Sequence, residues 1–211
     1  MKSKIFMLTI MVVLSSCWQD DEGWKQELNG TGDIGLNPNI QNCADAEYPD
    51  WQSSAYYLPY PIGESYVIGL GHCDGSYHSA GLPDMFAIDV NMPIGQRIVA
   101  SRSGVVIAIE ERGIDGGFPN NFVLLQHQDD TYAWYMHLTN NGAVVNVGET
   151  VPRGGLIGYS GNTGLAGYPH LHVVFTYGAN WPYTSFPVTF KNTIPNERSL
   201  QSGVMYPALP K

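Results

Sequence analysis

Asn121-Phe122-Val123-Leu124-Leu125-Gln126-His127 and Thr131-Tyr132-Ala133-Trp134-Tyr135-Met136-His137, separated by Gln128-Asp129-Asp130, decide the fold. Both runs are rich in β-branched and aromatic residues, and the polar triplet between them signals a hairpin. Outward from this pair the chain continues in the same manner. Phe86-Ala87-Ile88-Asp89-Val90 ends at Asn91-Met92-Pro93, and Arg97-Ile98-Val99-Ala100 is parted from 104–110 by Ser101-Arg102-Ser103. Further strands are expected at 144–147, 156–159 and 171–177. No segment after Cys17 keeps a helical period of useful length. Short, closely spaced strands predict an all-β fold, an antiparallel β-sandwich or open barrel forming a single domain. No repeat of fixed period is present.

Composition agrees. The 211 residues are 44% hydrophobic and 14% charged, with 24 glycines and 14 prolines. That is apolar enough for a packed core and too weakly charged for a disordered chain. The net charge of −9 leaves no electrostatic footprint for nucleic acid. No apolar run reaches the roughly 18–20 residues of a membrane span.

The N-terminus stands apart from the domain. Lys2 and Lys4 precede a ten-residue apolar stretch from Ile5 to Leu14, the pattern of an export signal. Leu14-Ser15-Ser16-Cys17 then resembles a bacterial lipobox, which implies cleavage after Ser16 and acylation of Cys17. Several acyl chains would make a stable membrane anchor. Removing residues 1–16 leaves 8 basic against 19 acidic residues, a net charge of −11. Residues 17–40 are polar and aperiodic, as expected of a flexible tether, and the folded domain is expected over 41–211. Cys43 and Cys73 remain as an even pair in an oxidising compartment. A disulfide between them would close a loop of about 30 residues and contribute roughly 3–4 kcal/mol; a buried reduced pair is the alternative.

The sharpest local signal is His170-Leu171-His172. Alternate residues of a strand share a face, so the two imidazoles are neighbours at roughly 6–7 Å between Cα atoms. Such a pair suits a division of labour, one ring binding a metal and the other reaching a water beside it. Asp89 shares a strand face with Ala87, opposite Phe86 and Ile88, which turns its carboxylate toward a cleft.

These stretches together resemble the lysostaphin or LytM-type zinc endopeptidases. The resemblance is carried by Ile88-Asp89-Val90-Asn91-Met92-Pro93-Ile94-Gly95 with Val99-Ala100 and Gly104-Val105-Val106, and by Tyr135-Met136-His137-Leu138. It continues through Gly148-Glu149-Thr150-Val151 and Gly158-Tyr159-Ser160-Gly161-Asn162-Thr163-Gly164 to Pro169-His170-Leu171-His172. It covers about residues 60–177. It implies one Zn2+ per chain, held by an upstream histidine, Asp89 and His172, with His137 and His170 as catalytic residues. Two imidazoles and a carboxylate are a familiar three-ligand zinc set that keeps one position open for water. Zinc lowers the pKa of that water towards about 7. His170 is then the expected proton carrier and His137 the group that orients water or stabilises the oxyanion.

One position departs from the family. The upstream histidine usually lies four residues before the aspartate, where this chain has Met85. His78 is the candidate ligand, across a gap whose glycine and proline let the chain fold back; His72 and Asp84 are its substitutes. His72 and His127 are otherwise expected to be structural, and Tyr135 and Tyr168 to be candidates for the cleft wall. The resemblance implies an exported, lipid-anchored peptidase of the cell envelope that cuts peptide cross-links of peptidoglycan, with a protein activator left open. Two rivals remain at this point. One is a non-catalytic LytM-like module that binds cell wall or an amidase partner; the other is a carbohydrate-binding β-sandwich.

Overall fold

The computed structural model describes residues 43–211. The export signal, Cys17 and the tether over 17–40 lie outside the described residues. Eleven strands are formed among the latter: β1 Ser65–Leu70, β2 Ile88–Val90, β3 Arg97–Val99, β4 Gly104–Glu110, β5 Phe122–Gln126, β6 Tyr132–Met136, β7 Leu138–Ala143, β8 Thr150–Val151, β9 Leu156–Ser160, β10 Leu171–Thr176 and β11 Met205–Pro207. The helical content among the described residues is one turn of 3-10 helix, Trp51–Ser53, capped by the Asp50 carboxylate. The fold is all-β, as the spacing of short apolar runs predicts.

The strands form an eight-stranded sheet in the order β11-β1-β2-β10-β6-β5-β4-β8 and a three-stranded sheet in the order β3-β9-β7. Every pairing is antiparallel. β5 and β6 are the expected hairpin, in register from Phe122 opposite Met136 to Gln126 opposite Tyr132. Its turn places Asp130 at φ 58°, a conformation aspartate tolerates better than most residues. The His127 N–H donates to the Thr131 carbonyl at 2.8 Å and closes the turn.

The main core joins both sheets. Leu171, Val173 and Phe175 of β10 meet Ile88 and Val90 of β2, Tyr135 of β6, Ile98 of β3, Leu138 of β7 and Ile157 of β9 in one buried cluster. Each such side chain contributes on the order of 1.5–3 kcal/mol through burial. The other face of β10 carries His172, Val174 and Thr176, and these are buried as well. Val174 joins Ala87, Met136 and Tyr183 in a second, smaller apolar cluster. The large sheet is therefore covered on both sides at its centre, and its polar residues there share the face of the smaller apolar cluster.

One expectation is corrected. Residues 144–147 form no strand: Val145 is buried, whereas Val144 and Val147 face solvent. The strand lies just upstream, in β7, which contains Asn140-Asn141-Gly142, a run that reads as a turn. Asn141 indeed adopts φ 50°, and the pairing of β7 with β9 shifts between Leu138 and Ala143. β7 is thus a strand interrupted by a bulge, with turn residues inside it. The segment after residue 178 supplies β11 on the margin of the large sheet. Cys43 and Cys73 are joined by a disulfide, with their Cα atoms 5.7 Å apart.

Candidate metal centre

Strand register builds the centre. His172 on β10 lies directly opposite Asp89 on β2, so both side chains leave the sheet on the same face. His172 Nδ1 stands 2.9 Å from Asp89 Oδ1. The upstream histidine that meets them is His78. The segment after β1 folds back, and His78 Nε2 comes within 3.4 Å of the same Asp89 oxygen. His78, Asp89 and His172 each offer one donor atom, all within 4.8 Å of one another. A tetrahedral ion with bonds of about 2.0–2.1 Å requires ligand–ligand edges of about 3.3–3.4 Å, so this trio is sized for one.

The outer ring nitrogen of His78 is tied down. His78 Nδ1 lies 3.1 Å from the Gly71 carbonyl, which fixes a proton on Nδ1 and leaves the Nε2 lone pair toward Asp89. His72 is not part of this group. It is packed in the interior, stacked on Tyr48 and set edge-on to Phe86. Asp84 also stands outside the trio, 3.6 Å from His172 Nε2, the ring nitrogen opposite the one that meets Asp89.

His137 and His170 flank the trio, with ring centroids 4.7 Å apart. His137 is the single residue between β6 and β7 and adopts φ 64°. That kink carries the chain from the large sheet to the small one and turns the imidazole inward. Its backbone N–H donates to Asn120 Oδ1 at 3.0 Å, and its Nδ1 lies 2.7 Å from the Thr163 carbonyl. The Thr163 hydroxyl donates in turn to the Leu138 carbonyl. His170 Nδ1 lies 2.8 Å from the Tyr168 carbonyl, and its Nε2 is 3.6 Å from Asp89 Oδ1. Both rings therefore hold a proton on Nδ1 and present an Nε2 lone pair. His137, His170 and His172 form a second group of three donors, again within 4.8 Å of one another.

The electrostatics divide these groups. Burial works against the charge on Asp89, yet the neighbouring His78 and the hydrogen bonds from His172 and His78 hold its carboxyl well below the usual range. Burial, reinforced by the nearby His170 and His172, pulls His137 down to about 3. Burial also lowers His170, with Asp89 pulling the other way. His137 and His170 are thus neutral at neutral pH, the state in which an imidazole accepts a proton.

Tyr135 is no cleft residue. It is fully buried in the main core, where its hydroxyl accepts the Ser101 N–H at 2.8 Å. Tyr168 does lie at the rim, half-exposed with its ring 4.6 Å from that of His170. His127 is buried at the end of β5, with Nδ1 2.9 Å from the Ser103 carbonyl. The supporting roles of Asn120, Thr163 and the Gly71 and Tyr168 carbonyls escape a reading of side-chain chemistry. Thr163 at least lies within the glycine-rich motif preceding His170, and that position was its one available signal.

Comparison with known proteins gives a family match whose span includes Asp89, His137, His170 and His172 and begins after His78. Residues 85–182 match the sequence profile of Peptidase family M23. Lysostaphin of Staphylococcus simulans is 33% identical over 116 residues, which cover 55% of this chain and 20% of that protein. The peptidoglycan DD-endopeptidase ShyA of Vibrio cholerae is 39% identical over 84 residues, covering 40% of this chain and 18% of that protein. The chain thus spans about a fifth of the length of these curated relatives. Among solved structures, the catalytic domain of lysostaphin from Staphylococcus simulans is 30% identical, with 60% of this chain and 86% of that chain covered and a TM-score of 0.42.

Proposed function

Because residues 85–182 belong to peptidase family M23, we propose that this chain is a zinc-dependent endopeptidase that hydrolyses peptide cross-links of bacterial peptidoglycan. The observation that carries the reading is the convergence of His78, Asp89 and His172 within 4.8 Å, with the two neutral imidazoles of His137 and His170 beside them. The donor set suits zinc: two nitrogens and one carboxylate, all buried, with backbone carbonyls orienting the outer nitrogens of His78, His137 and His170. A zinc ion there would act as a Lewis acid on the scissile carbonyl and lower the pKa of a water at its open position.

The chain's own residues then divide the work. Asp89, ionised and buried, supplies negative charge that offsets the cation. His170 accepts the water's proton at Nε2 and delivers it to the departing amine. His137, held at Nδ1 by the Thr163 carbonyl, orients the water by accepting a hydrogen bond from it at Nε2. The surrounding loops exclude bulk solvent and strengthen each of these interactions.

The test is release of peptide from purified sacculi, followed by chromatography. Wild-type protein is expected to convert cross-linked species into monomers. His170→Ala is expected to retain about one equivalent of zinc while its rate falls about 10²–10⁴-fold. Intact zinc binding with negligible release from both proteins would instead indicate a non-catalytic module that binds cell wall or an amidase partner.

The same reading places the protein in the cell envelope. Residues 1–16 act as export signal, Cys17 carries the lipid, residues 17–40 form a tether and residues 41–211 the peptidase domain. Leu14-Ser15-Ser16-Cys17 supports the anchor. Metabolic labelling with a fatty-acid analogue is expected to mark the wild-type chain and to leave Cys17→Ser unmarked.

A further inference from the structure

His172 stands between two carboxylates. Its Nδ1 meets Asp89 Oδ1 at 2.9 Å. Its Nε2 is buried and makes no hydrogen bond, and Asp84 Oδ1 lies 3.6 Å from it. Asp84 is itself buried, and the Tyr183 hydroxyl donates to its Oδ1 at 2.6 Å. Tyr183 is in turn fixed by aromatic neighbours, with ring centroids 5.7 Å from Trp134 and 5.1 Å from Trp181. Asp84 thus lies behind the histidine, held by Tyr183 at the same oxygen that faces the ring.

A ligand imidazole needs a lone pair on the nitrogen that meets the ion and therefore carries its proton on the other. A carboxylate behind that second nitrogen fixes the tautomer and raises the basicity of the first. His78, His137 and His170 have backbone carbonyls in that position. His172 alone among these four has a carboxylate there. Closing 3.6 Å to hydrogen-bonding range requires a movement of only about 0.5 Å.

We propose that Asp84, held by Tyr183, is the positioning residue for His172: its carboxylate accepts a hydrogen bond from Nε2–H and so directs the Nδ1 lone pair at the ion shared with His78 and Asp89. The inference rests on the metal-site reading above and gives the segment between His78 and Asp89 a purpose beyond spanning a gap. It also removes Asp84 from the ligand set, because its carboxylate meets the nitrogen on the far side of the ring.

The experiment is a cobalt(II) titration of the full chain, read by d–d absorption and by competition with a chelator, for wild type, Asp84→Asn and Tyr183→Phe. Asp84→Asn is expected to keep one equivalent of metal with affinity reduced about 10–100-fold and a changed d–d spectrum. Tyr183→Phe is expected to weaken binding several-fold in the same direction. Affinity within about twofold of wild type and an unchanged spectrum in Asp84→Asn would overturn the inference while leaving the metal site standing. Should Asp84→Asn fail to fold, wild-type affinity and spectrum in Tyr183→Phe would overturn it equally. Failure of the underlying reading looks different: the wild type itself would bind no stoichiometric cobalt, or Asp89→Ala would bind it as tightly as wild type.

Discussion

His137 is the residue where local strain and site geometry meet. A non-glycine residue in the left-handed region costs about 1–2 kcal/mol, and strain of this kind concentrates at functional sites. The cost at φ 64° is offset by bonds to Asn120 and Thr163 on either side. His137→Gly is therefore expected to be more stable than His137→Ala by about 1 kcal/mol, although both lose hydrolysis; urea denaturation checks the order. Sequence made much at this scale legible. Asp89, His170 and His172 could be placed on strand faces because the two-residue period is rigid, and that period explains why the three meet. His78 was harder, since eleven residues with glycine and proline admit many paths. What stayed illegible was the difference between touching one ring nitrogen and the other. Asp84 could be marked as a carboxylate near the site, but its position on the Nε2 side of His172 depends on the packing of Tyr183, a hundred residues downstream. Tyr135 misled for a related reason: its alternation with His137 breaks at the kink, which leaves the ring in the core.

At the scale of elements, the glycine-rich turn after β9 illustrates how closely neighbouring segments approach. Gly161 forms a bridge with His170, and a Cβ there would overlap the Thr139 backbone and lie 2.6 Å from Asp115 Oδ1. The obstacle is main chain, which cannot rotate away. Gly161→Ala is thus expected to destabilise the fold by roughly 1–3 kcal/mol and to lower hydrolysis through displacement of His170, as measured by denaturation and by the sacculus assay. Most strands were legible because β-branched and aromatic runs end at clear turn signals. β7 was not, because the Asn-Asn-Gly that marks turns elsewhere serves as a bulge here. β1 and β11 were missed too, since their pairing joins residues about 140 positions apart and no local pattern encodes such a partner.

For the whole molecule, the proposed metal would be coupled to the fold. The trio draws His78 from the segment after β1, Asp89 from β2 and His172 from β10, so unfolding scatters all three ligands. An ion that binds only the folded state stabilises it by about 2.7 kcal/mol at a hundredfold excess over its Kd. For a domain of this size that amounts to a rise of about 5–10 °C in Tm. Chelation is expected to lower the melting temperature by that amount and added zinc to restore it, as read by scanning calorimetry. His172→Ala should abolish the response.

The pairing of His172 with Asp89 across β10 and β2 has one more effect. Slippage of either strand by a single position would send one of the two side chains into the opposite layer, among Ile88, Val173 and their neighbours, while its partner stayed outside. A chain with misaligned central strands could not capture the ion, so it would forgo that stabilisation and remain easier to unfold and degrade. Under the proposed reading, cation capture would act as a proofreading step for the innermost strand alignment, selecting correctly threaded molecules before substrate is met.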